Sequence, residues 1–236
     1  MTASCRISIH LKITPPLNPS EHGYPYPLPV FRYYAIFISM ILRSFIAIEI
    51  PASLQDVIAQ QTANLRQQFQ YPAIRWVPKR NIHLTIKFLG EVSTQILEVL
   101  ARSLNQEVNK MKSFSITAGE MGIFPSGQKP RIIWVGIKAP PVLFTLQSKI
   151  EAISSSLGHK IENRPFSPHI TIGRFGNAFP KEKIPIILRC LESMNFSIHA
   201  SVEINSITIF KSDLNPSGSV YTPILAIPFE KQSIPR

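Results

Sequence analysis

The chain has 236 residues, longer than the usual single domain but short of two comfortable ones, so one compact body or two small fused lobes fit it. With 44% hydrophobic and 17% charged residues it has ample material for a core, which excludes wholesale disorder. Lys and Arg number 25 against 14 acids, and the resulting net charge of +11 suits a polyanionic partner: nucleic acid, a phosphate ester or an anionic membrane.

Residues 1–39 carry Pro15, Pro16, Pro19, Pro25, Pro27 and Pro29 with few charges and no clean period, so they read as a Pro-rich, disordered N-terminal extension. The apolar run from Pro27 to Ile50 is broken by Arg32 and Arg43. An Arg near the middle of a membrane span costs about 2.5–3.5 kcal/mol, which argues against a span or stable membrane association. The order of charged start, apolar block and small-residue cleavage site of a secretory signal is missing, and Met40 is read as the natural start. Residues 40–230 then form the domain, with 231–236 as a tail. Cys5 and Cys190 are the only cysteines and have no C-x-x-C partner, which fits a reducing cytoplasm and excludes a disulfide scaffold.

SFIAIEI at 44–50 opens the domain as a strand that ends at Pro51. Ser53 and Asp56 resemble a capping box starting a helix through Leu54, Ile58, Leu65 and Phe69. Strands follow at 74–77 and 82–90, turned by Pro78. A second helix starts near Ser93 with Leu97, Leu100, Ala101, Leu104 and Val108 on its apolar face. Strands at 114–120 and 131–138 flank the turn-rich 125–130. A third helix opens near Pro141, repeats Leu143, Leu146, Ile150, Ile153 and Leu157, and stops at Gly158. The order closes with a strand at 168–175, a short helix over 186–191, and strands at 202–210 and 220–228. Strands and helices are mixed without alternating one for one, which favours antiparallel α+β layers over a doubly wound sheet.

One pattern occurs twice. His83-Leu84-Thr85-Ile86 and His169-Ile170-Thr171-Ile172 lie 86 residues apart, each after a Pro-containing turn. Strand side chains alternate between faces, so each segment offers an imidazole and a hydroxyl to one surface and two apolar anchors to the other. Side by side, two such strands make a cleft of four polar residues. Around neutral pH one imidazole can take a proton while another gives one, and a facing pair can run a single in-line displacement. Threonine donates to a phosphoryl oxygen without adding negative charge. Arg174, five residues after His169, is placed with His169 and Thr171 if the strand continues past Gly173, where a guanidinium neutralises phosphate. No Asp or Glu accompanies either motif at ligand spacing, so no zinc or magnesium centre and no cofactor is expected. The parts describe metal-free phosphoester cleavage. His10, His22, His159 and His199 lack such a setting and read as surface or structural; Trp76 and Trp134 read as core aromatics.

At these residues the chain resembles the 2H phosphoesterase superfamily, and within it the RNA 2',3'-cyclic phosphodiesterases, the LigT- or ThpR-like 2'-5' RNA ligases. The likeness covers RSFIAIEIP at 43–51, RWVPKRNIHLTIKFLGEV at 75–92, FPSGQKPRIIWVGI at 124–137, RPFSPHITIGRF at 164–175 and FKSDLNPSGSVYTPI at 210–224, in the usual order. The resemblance implies a bilobal α+β fold, two pseudo-twofold related lobes of antiparallel sheet backed by helices, with one motif in each. It implies a monomer whose partner is RNA ending in a 2',3'-cyclic phosphate. His83 is then the proton donor to the departing O3', His169 the proton acceptor that activates water, Thr85 and Thr171 the holders of the non-bridging oxygens, and Arg174 a substrate-binding residue. Lys211, Ser212 and Tyr221 would border the cleft. Run backward, the same site gives 2'-5' ligation. Two other readings stand beside this one: a cyclic phosphodiesterase acting on a small nucleotide such as ADP-ribose cyclic phosphate or 2'-5' oligoadenylate, and a non-catalytic RNA-binding module.

Overall fold

The computed structural model describes residues 40–126, 129–193, 200–215 and 218–230. The reading of residues 1–39 and 231–236, together with Cys5, His10, His22 and His199, lies outside them.

The first strand, β1 (Ile41–Glu49), buries Ser44 through Ile48 without interruption, because apolar side chains occupy both of its faces. Helix α1 (Ala52–Gln68) follows, burying Leu54, Ile58 and Leu65. The expected Ser53–Asp56 cap is not formed. Pro51 is the N-cap with no side-chain bond, and its carbonyl accepts from Gln55 N at 3.0 Å, so Ser53 already lies inside the first turn. Asp56 instead pairs with Lys79. Strand β2 (Ile74–Trp76) and β3 (His83–Ser93) lead to α2 (Thr94–Val108), whose N-cap Ser93 accepts from Ile96 N at 3.3 Å as its sequence suggests. Strands β4 (Phe114–Phe124) and β5 (Ile132–Lys138) precede α3 (Pro141–Ser156), which Gly158 terminates at φ +87°. Then come β6 (His169–Phe175), α4 (Ile184–Ser193), β7 (Ser201–Ile204), β8 (Ser206–Asn215) and β9 (Gly218–Pro228). The segment read as one strand over 202–210 is thus two, broken at Asn205, whose carbonyl accepts from Phe229 N at 2.8 Å.

Every pairing between these strands is antiparallel, in the nine-stranded order β7-β4-β5-β6-β3-β1-β8-β9 with β2 beside β6. The order is symmetric about its centre: β3 and β6 carry the two motifs, β1 and β5 flank them, β8 and β4 come next. The α+β class and the two repeated halves are therefore as expected. The halves share one sheet, joined at β3–β6 by the single pair Leu84↔Ile170. They also trade strands. β4 precedes β5 in the chain yet pairs with β5 and β7, while β8, late in the chain, pairs with β1.

A continuous core runs under both halves, built from Leu54, Ile58 and Leu65 of α1, Leu100 and Leu104 of α2, Leu143 and Leu146 of α3 and the inward strand positions Leu84, Ile86, Ile170 and Ile172. Each such side chain is worth about 1.5–3 kcal/mol of burial. Among the described residues no helix is long and apolar enough to cross a membrane.

Candidate active site

The pairing of Leu84 with Ile170 sends both side chains, fully buried, into the core. In an antiparallel register that single pair also sets His83 across from Thr171 and Thr85 across from His169, all four on the face turned away from the core. In a regular ladder residues directly opposite lie about 4.5–5.5 Å apart at Cβ and diagonal ones about 7–8 Å, which sets the two histidines at diagonal corners of this face. All four side chains are half-buried. The structure thus brings His83, Thr85, His169 and Thr171 together.

Arg174 reaches this face by a route the alternation rule does not supply. Strict alternation sends residue 174 to the core with Ile170 and Ile172. Between β5 and β6 the register slips, Ile133 facing Gly173 and Trp134 facing Thr171, so β6 carries one extra residue. That bulge reverses the parity beyond it, leaving Gly173 buried and Arg174 exposed. β3 slips likewise between Thr85 and Lys87, which turns Lys87 inward and sets Phe88 out.

Both rings are held alike. Nδ1 of His83 lies 2.7 Å from the Asn81 carbonyl oxygen, and Nδ1 of His169 lies 2.7 Å from that of Ser167. A carbonyl only accepts, so each Nδ1 carries its proton and each Nε2 is left to meet a substrate. Asn81 is fixed in turn by its side-chain amide, which donates to Ser219 O at 2.8 Å. These anchors were not legible, since a backbone carbonyl has no residue-type signature.

The surroundings of the two rings differ. His83 sits among Phe45 at 5.0 Å, Tyr221 edge-on at 5.1 Å and Phe210 at 6.4 Å between ring centroids. Burial pushes its imidazole below the ordinary value of 6.5; the Asn81 carbonyl works against this, and the positive charges of Arg174 and His169 add to it. His169 meets Phe124 edge-on at 5.4 Å, and Phe124 stacks on Trp134 at 4.8 Å. Trp134 is therefore not a core aromatic: it lies over Gly122, where a Cβ would stand 2.3 Å from its ring. Trp76 does pack on the core, against Gly173. His159, with Nδ1 at 3.1 Å from Leu89 O, is structural as read. A cavity of about 350 Å³ is walled by Phe45, Phe88, Tyr221, Ser212 and Arg174; none of the four motif residues lines it, and Phe45 and Tyr221 connect it to the His83 ring. Tyr221 and Ser212 line this cavity; Lys211 does not and pairs with Asp213 at 3.0 Å. Phe45 and Phe88 were missed; SFIAIEI, apolar on both faces, was the available signal for Phe45, while Phe88 faces outward only because of the bulge in β3. Among the described residues no group of three or more His, Cys, Asp or Glu could hold a metal.

The same two-fold organisation marks known proteins. The LigT-like phosphoesterase family model matches the chain twice, over residues 48–134 and 135–221. An RNA 2',3'-cyclic phosphodiesterase of Methanocaldococcus jannaschii is 34% identical over 184 residues, 78% of this chain and 98% of that protein. Another, of Thermotoga maritima, is 30% identical over 191 residues, 80% and 96% of the respective chains. Among solved structures, Escherichia coli LigT complexed with 3'-AMP superposes with a TM-score of 0.61 at 26% identity, covering 81% of this chain and all, 100%, of that one. Two family repeats, each holding one histidine strand, account for nearly all of the described fold, and the chain belongs to the LigT-like phosphoesterase family.

Proposed function

We propose that this protein hydrolyses RNA 2',3'-cyclic phosphate ends to 2'-phosphates by metal-free acid–base catalysis between His83 and His169. The observation that carries the reading is the Leu84↔Ile170 register, which turns both His-x-Thr segments to one face of the sheet. The names of the relatives at 34% and 30% identity support the substrate. His169 Nε2 takes a proton from water as its oxygen bonds to phosphorus; the P–O3' bond breaks, and His83 Nε2–H protonates the departing O3'. Thr85 and Thr171 donate to the non-bridging oxygens, and Arg174 balances their growing charge. The strained five-membered ring lowers what the protein must supply, and acid–base work adds about 10²–10⁴-fold. A depressed pKa makes protonated His83 the stronger acid, and the anionic substrate between the rings favours that protonated form. A 5'-hydroxyl replacing water gives a 2'-5' linkage, the ligation direction.

The supporting unit is residues 40–230, acting as a monomer in the cytoplasm; the two widely spaced cysteines agree with a reducing compartment. A cavity sized for one nucleoside beside His83 favours, as the second reading, a small cyclic nucleotide.

The test is incubation of the full chain with an oligonucleotide ending in a 2',3'-cyclic phosphate and identification of the product isomer. The expected product is the 2'-phosphate alone, EDTA changes nothing, and His83→Ala or His169→Ala each lowers kcat by about 10²-fold or more with an unaltered melting transition. A 3'-phosphate product, loss of activity with chelator, or active histidine variants would each defeat the mechanism; RNA binding without any product would favour the non-catalytic module.

A further inference from the structure

Strand β2 contributes to neither motif, yet it sets Arg75 directly opposite Arg174 across its pairing with the second half of β6. Its neighbours Ile74 and Trp76 pair with Phe175 and Gly173 and face the core, where the Trp76 ring lies 3.3 Å from the place of a Gly173 Cβ. Arg75 therefore projects from the opposite face, the one that carries His169, Thr171 and Arg174. Both guanidinium groups belong to exposed residues, and among the described residues neither takes part in an ion pair. Like charges directly opposite on a sheet are destabilising, and among the described residues no carboxylate pairs with either. Two unpaired forks side by side are an arrangement that an anion, or two adjacent anions, relieves.

Arg174 borders the cavity, and on the reading above it serves the reacting phosphate. Arg75 stands on the neighbouring strand, directly opposite Arg174, so the two cations can meet adjacent negative charges. We infer that Arg75 receives the phosphodiester immediately 5' of the terminal nucleotide, so that the protein prefers an RNA end to a free nucleoside 2',3'-cyclic phosphate. This rests on the cyclic phosphodiesterase reading above and adds the determinant of substrate length.

The experiment compares kcat/KM of the full chain for a trinucleotide ending in adenosine 2',3'-cyclic phosphate with that for the cyclic mononucleotide alone. It is repeated with a trinucleotide whose last internucleotide linkage is a neutral methylphosphonate. Expected is a preference for the charged trinucleotide that falls about tenfold with the neutral linkage, and equally in Arg75→Gln, with no further loss when the two are combined. The slope of log kcat/KM against log salt becomes shallower by about 0.7 in either case, the loss of one phosphate contact on a single strand. Arg75→Lys keeps most of the preference. Equal use of charged and neutral trinucleotides by the unaltered protein, or independent additive losses, overturns the assignment of Arg75 while leaving the cyclic phosphodiesterase reading intact. Turnover of neither substrate overturns both.

Discussion

His83 and His169 open the same tetrapeptide pattern and share the same Nδ1 anchor, but they stand in different media. Phe45, Phe210 and Tyr221 crowd the first ring, and its ability to hold a proton is reduced. We therefore expect a bell-shaped pH profile of kcat/KM with the His83 limb below its ordinary value of 6.5. Tyr221→Ala, which admits water to the ring, should raise that limb, while Tyr221→Phe should leave it in place; a limb that ignores both would show that the wall has no such effect. The sign for stability follows from the same shift. A histidine whose folded pKa is depressed opposes folding when charged, so its contribution is intact above pH 6.5 and is lost as pH falls below that value.

At the scale of elements, period-two and period-3.6 patterns and short apolar runs were enough to find most of the strands and all four helices, because most of them bury one regular face and β1 buries both. What they could not supply were the departures from regularity. The bulge that rescues Arg174 depends on how β5 meets β6, and the break at Asn205 depends on where two strands find partners. The sister bulge in β3 turns Lys87 under the sheet, where Nζ donates to Glu151 Oε1 at 2.5 Å and to the Lys160 carbonyl at 2.6 Å. With only 4% of that lysine side chain and 16% of Glu151 exposed, the pair is nearly desolvated. Lys87→Ala strands the carboxylate and should cost about 3 kcal/mol, read as a lower urea midpoint at unchanged slope. Replacing both partners with apolar residues should recover much of that loss.

For the molecule as a whole, the paired tetrapeptides made the duplication legible, but nothing in either repeat announces that β4 and β8 change places. The swap has a direct test. A chain beginning at Met40 should retain full turnover, whereas fragments 40–126 and 129–230 should each fail to fold alone and regain activity when expressed together. The first lacks both partners of β4 and one of the two partners of β1, and the second lacks one of the two partners of β5 and of β8. Autonomous folding of either fragment, by circular dichroism and a cooperative melt, would count against this reading of the topology. Electrostatics acts at this scale too: with +11 net charge, a polyanionic substrate should be captured faster at low ionic strength.

The meeting of β3 with β6 through one residue pair would, by itself, make a weak seam. Strand β2 adds three pairs with β6 and one continuous core runs beneath both sides, so opening the joint would break strand pairs and expose apolar surface together. We therefore expect the separation of the two imidazoles to be set before any ligand arrives, with entry and exit through the open face of the groove.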